Sequence, residues 1–103
     1  MKDLELQDAE GLFGLVRMEA ARQIGKWGIQ DCHPFEWLAY LAEEFGEVSK
    51  AVNEAVYREG AASEVVTECI QVATLALKMA EMYRAAGDPA RIIGLEAKND
   101  EAN

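Results

Sequence analysis

Two clusters of acid stand out in this chain. Glu43, Glu44 and Glu47 fall within five residues, and Glu64, Glu68 and Gln71 follow about twenty positions later. On a helix each residue advances about 100°, so Glu44 falls beside Leu41 and Val48 at the border of an apolar stripe, with Glu43 and Glu47 on the adjoining polar side. Glu68 falls between Val65, Val72 and Leu75, on what should be a core face, with Glu64 and Gln71 at nearly the same angle. Like charges at this spacing repel unless a cation or a basic partner stands between them, and a carboxylate at a core position is costly unless paired or metal-bound. Hard divalent cations such as Mg²⁺ bind carboxylate oxygens of this kind. The bland alternatives are a solvated face for Glu43, Glu44 and Glu47, paired with Lys50 or Arg58, and an ion pair between Glu68 and Arg17, Arg22 or Lys26.

Positioning these groups requires helices, and the punctuation predicts three long ones. The first runs from about Gln7 to Lys26, with Phe13, Val16, Ala20, Ile24 and Trp27 three or four apart, and ends at Gly28. After a loop, Pro34 suits the first turn of a second helix, where its missing N–H would have no partner. That helix carries Leu38, Leu41, Phe45, Val48, Val52 and Ala55 as its apolar stripe and stops at Gly60. Ser63 is the expected cap of a third helix that reaches about Ala86 and stops at Gly87-Asp88-Pro89. A short amphipathic helix over 89–97 and a frayed polar tail over 98–103 complete a single domain, 1–103. The expected fold is therefore all-α, a helical bundle. Val65, Val66, Ile70, Val72, Leu75, Leu77 and Met79 make the third helix apolar nearly all round, more than two other helices in one chain can cover. A bundle completed by a second subunit, a homo-oligomer, follows.

Composition narrows the partners. With 10 basic against 19 acidic side chains, a formal net charge of −9, the molecule repels nucleic-acid backbones, and an anionic substrate would need a cation in between. Cys32 and Cys69 lack CxxC spacing, and His33, the one histidine, is too little to build a zinc site with them. His33 reads as a loop or capping residue. No apolar run approaches a membrane span, and the first residues lack the basic start and apolar core of a signal peptide, so a cytoplasmic protein is expected, with neither membrane nor nucleic acid as partner.

The ordered combination of Glu43-Glu44-Phe45-Gly46-Glu47 with Glu68 and a polar residue three positions on resembles the EExxE and ExxD signature of the MazG-like all-alpha nucleoside triphosphate pyrophosphohydrolases. The segment from Lys26-Trp27-Gly28 through Pro34-Phe35-Glu36-Trp37 resembles the tryptophan-glycine and proline-rich entry of one branch of that family. The similarity covers roughly 22–83. The resemblance implies tightly associated all-α dimers or tetramers that hold Mg²⁺, or Mn²⁺ in its place, and cleave nucleoside triphosphates to monophosphate and pyrophosphate. Carried over, Glu44, Glu47 and Glu68 are metal ligands, and Glu43 is a ligand or the base that orients water. Where the family pattern has aspartate this chain has Gln71, with Glu64, one turn before Glu68, as a substitute ligand. Arg22 and Lys26, one turn apart, could reach phosphates or the acidic cluster, or form a solvated face; Trp27, Phe35, Trp37 and Tyr40 could stack on a base or belong to the core. A non-catalytic nucleotide- or metal-binding protein of the same fold, and a helical protein-interaction module, are the alternatives.

Overall fold

The computed structural model describes residues 1–87. They form three helices and no strand: α1 (Ala9–Trp27), α2 (Pro34–Tyr57) and α3 (Ala62–Ala86). The expected short helix over 89–97 and the tail over 98–103 lie outside the described residues. No described helix is long and apolar enough to cross a membrane.

Local chemistry fixes most of the ends. Asp8 caps α1, its carboxylate accepting from the Gly11 N–H at 3.3 Å. Gly28 and Gly87 take positive φ and return their N–H groups to Ile24 and Tyr83, which ends α1 and α3. His33 is the N-cap of α2: its Nδ1 accepts from the Phe35 N–H at 3.1 Å, while Glu36 accepts from the His33 N–H at 3.0 Å. Pro34 follows in the first turn, as expected.

Two ends differ from expectation. The helix α2 stops at Tyr57, and Glu59, not Gly60, takes the left-handed conformation with φ 57°. Gly60 serves close approach instead, its N–H reaching the Glu54 carbonyl at 2.8 Å where a Cβ would stand 3.0 Å from the Glu54 backbone carbon. Ser63 is not the cap of α3. The cap position is Ala61, with no side-chain hydrogen bond, because the helix-favouring Ala62 starts the helix one residue ahead of the serine; the Ser63 carbonyl accepts from the Thr67 hydroxyl at 3.0 Å.

The central element is α3, which packs against both α1 and α2. On α2 the sheltered positions are Trp37, Leu41, Glu44, Val48, Ala51 and Ala55, alternating steps of four and three. On α1 they include Leu12, Val16, Glu19 and Gln23, and on α3 Glu68, Gln71, Leu75, Lys78 and Met82. Each packed stripe thus carries polar groups. The expected stripes are straddled: Phe13, Ile24 and Trp27 of α1, and Leu38, Phe45 and Val52 of α2, are exposed in the single chain.

Candidate functional site

Glu44 and Glu68 face one another across the α2–α3 packing, both half-buried. The Gln71 side-chain amide lies between them. With its nitrogen toward the carboxylates it donates to Glu44 Oε2 at 2.8 Å and to Glu68 Oε2 at 2.9 Å. Rotated by half a turn, the same amide presents its oxygen at that spot and three oxygens converge. Burial, then the fields of Glu68, Glu47, Glu19 and Glu43, push the Glu44 carboxyl above its ordinary range. No basic side chain offsets this at Glu68: among the described residues the one ion pair joins Arg22 to Glu19.

Glu19 is the site residue that sequence reasoning passed over. Its carboxylate takes Arg22 Nε at 2.8 Å and Nη2 at 2.7 Å, side-on, and Gln23 Nε2 at 2.8 Å. Lys78 Nζ in turn donates to Gln23 Oε1 at 2.7 Å. The Arg22 hydrogen bonds pull the Glu19 carboxyl below its ordinary range against the opposing effect of burial. Burial lowers Lys78, with Glu19 working the other way. The available signal was position: Glu19 sits four and three residues from Gln23 and Val16, in the packed stripe of α1 rather than on its polar side.

Beside the carboxylates opens a cleft of about 320 Å³, lined by Glu19, Arg22, Gln23, Trp27, Gln30, Trp37, Tyr40, Glu43, Glu44, Gln71 and Leu75. Its size lies at the lower end of small-ligand sites. Trp37 is buried and meets Tyr40 edge-to-face at 5.9 Å, so it serves as wall and core together. Trp27 is half exposed, with Lys26 Nζ 4.7 Å and the Arg22 guanidinium 5.8 Å from its ring centre. The field of Cys32, followed by burial and Glu36, raises the Tyr40 hydroxyl. Both cysteines are free.

Of the residues singled out by sequence, Glu43, Glu44, Gln71, Arg22, Trp27 and Trp37 line this one cleft, and Glu68 stands behind Gln71. Glu47 and Glu64 are exposed and Lys26 does not line the cleft. Among the described residues no three His, Cys, Asp or Glu side chains could share one metal ion. Two carboxylates and an amide oxygen nevertheless suit Mg²⁺, which commonly takes one or two protein carboxylates and completes its shell with waters and substrate phosphates. Compared with known proteins, the chain matches no family model, no curated protein and no solved structure.

Proposed function

We propose that this protein is a Mg²⁺-dependent nucleoside triphosphate pyrophosphohydrolase, cleaving between the α and β phosphates to leave a monophosphate and pyrophosphate. The observation that carries this reading is the meeting of Glu44, Gln71 and Glu68 across two helices at the edge of a cleft that also holds one guanidinium and two tryptophans. The resemblance of the EExxE and ExxD positions points the same way. Bound Mg²⁺ would neutralise phosphate charge and acidify a coordinated water. Glu44 and Glu68 would hold it, with the Gln71 amide oxygen turned inward; Glu47, one turn from Glu43, and Glu64 remain candidate ligands through a water or the substrate. Glu43, exposed and lining the cleft, would take the proton of the attacking water. Trp27 offers a face to the base, and Arg22 and Lys26 provide positive charge for the phosphates.

Exposed apolar side chains support assembly as a homodimer or homotetramer. Leu38, Phe45, Val52 and Val56 fall seven, seven and four residues apart on one face of α2, 42–65% exposed. A contiguous apolar stripe of this length on a lone chain marks an interaction surface.

A second reading follows from the amide itself. With its nitrogen inward, Gln71 satisfies both carboxylates without a metal, which supports a nucleotide-binding protein that no longer turns its ligand over. Phosphorus NMR of a nucleoside triphosphate panel incubated with protein and Mg²⁺ tests both. The catalytic reading predicts equal growth of monophosphate and pyrophosphate signals. Unchanged triphosphate, or diphosphate with inorganic phosphate, counts against it.

A further inference from the structure

The side-on docking of Arg22 on Glu19 leaves part of the guanidinium unused. Nε and one Nη2 proton are committed to the carboxylate, and among the described residues the other Nη2 proton and the Nη1 proton beside it take no partner; these two form the end-on fork that matches a phosphate. Arg22 is the one basic residue among the described residues lining the cleft, which Glu43, Glu44 and Gln71 also line. Its side chain is 49% exposed while that of Glu19 is 11% exposed, so the sheltered carboxylate anchors the open guanidinium. Glu19 is itself held from behind by Gln23, which Lys78 of α3 ties down.

We propose that Glu19 is a positioning residue: it orients Arg22 so that the free fork grips the polyphosphate of the ligand, with Gln23 of α1 bracing Glu19 and Lys78 of α3 holding Gln23. This rests on the polyphosphate reading of the cleft but not on turnover. It makes an acidic residue favourable to anion binding, which is the reverse of what its charge alone would do. Removing a carboxylate a few ångströms from a bound anion should strengthen binding by simple Coulomb repulsion. Losing the anchor should weaken it, because a freed arginine must be ordered anew at each binding event.

The sign decides, and the probe is Mg²⁺–tripolyphosphate, whose binding is measured by calorimetry on the full chain. Glu19→Gln should weaken binding about tenfold, and Arg22→Ala by at least as much, the range expected for a charge-assisted hydrogen-bonded pair. In the Arg22→Ala background Glu19→Gln should weaken binding no further, and by losing the repulsion should improve it. Gln23→Leu, which removes the brace and keeps the charge, should weaken binding less than Glu19→Gln does. If Glu19→Gln fails to fold, Glu19→Asp serves the same purpose, since the shorter carboxylate keeps its charge and draws away from Arg22; it too should weaken binding. Tighter binding by Glu19→Gln, additive losses in the double variant, a larger loss from Lys26→Ala than from Arg22→Ala, or no tripolyphosphate binding by the wild type would each overturn the proposal. A wild type that binds tripolyphosphate through this pair but cleaves no nucleotide would sink the catalytic reading and leave this one standing. Nucleotide cleavage with tripolyphosphate binding indifferent to Glu19 would do the opposite.

Discussion

The charged form of Glu44 comes at some expense to the fold. Burial and four neighbouring glutamates raise its carboxyl above the ordinary range, so the folded state favours its protonated form. The penalty is absent below the unfolded-state pKa and is incurred as pH rises through the folded one, so metal-free stability should decline across that window. Glu19, lowered chiefly by its hydrogen bonds from Arg22, has the opposite sign: its contribution is present above the unfolded pKa and is lost as pH falls through the folded one. Melting curves in EDTA over a pH series should therefore show Glu44→Gln removing the decline on the upper side. At neutral pH the same variant should melt about 1–3 °C above wild type without metal, a modest gain because the site is only half-buried. It should also lose most of the rise that Mg²⁺ gives the wild type by binding the folded state. A Glu44→Gln protein that melts lower than wild type in EDTA would show that the carboxylate is satisfied as it stands. Gln71→Glu makes the complementary case: a third carboxylate of equal length should lower the metal-free melting temperature and enlarge the Mg²⁺ increment.

Helix by helix, the sequence was legible in its punctuation and misleading in its faces. Gly28, Pro34 and Gly87 act as their chemistry dictates, and His33 caps α2. The stripes were harder to read because α1 and α2 are each apolar over more than one packing face: Leu38, Phe45 and Val52 alternate with Leu41, Val48 and Ala55, and a three-four periodicity accommodates both sets. Only packing against α3 selects the second set, and that selection moves Glu44 from the border of the stripe into it and brings Glu19 in as well. Glu68 was identifiable beforehand because it falls among Val65, Val72 and Leu75, on a core face of the helix. The α2–α3 link was misread for a different reason. Gly60 looks like a left-handed stop, but its role is to let the chain pass against Glu54, a contact between residues six apart that no local rule encodes. Gly60→Ala should therefore destabilise by about 1–3 kcal/mol, the range for strain at a tightly packed site, and lower the melting temperature by several degrees. An unchanged melting temperature would mean that the turn gives way freely.

At the scale of the whole molecule, three helices bury few apolar side chains between them: Trp37, Ala51 and Leu75 are the buried ones among the described residues. A core of this size among the described residues offsets little of the ordering of the chain, so further burial would add stability. A second copy seated on the exposed stripe of α2 would supply it. Phe45→Glu with Val52→Lys should shift the sedimenting mass toward the 11.4 kDa of one chain and lower stability at the same time. A wild type already sedimenting at that mass at micromolar concentration would contradict the assembly. In the proposed function the acidic pair and its cleft act on a polyphosphate, whatever the assembly. The most direct measurement is the rate of pyrophosphate release from a nucleoside triphosphate as a function of Mg²⁺, for wild type beside Glu68→Gln. The account predicts that wild-type release rises from nothing in EDTA to saturation, with one monophosphate formed per pyrophosphate, and that Glu68→Gln falls by about 100-fold or more, the scale of losing a transition-state contact. Release that is indifferent to Mg²⁺, or a Glu68→Gln protein as active as wild type, would contradict it.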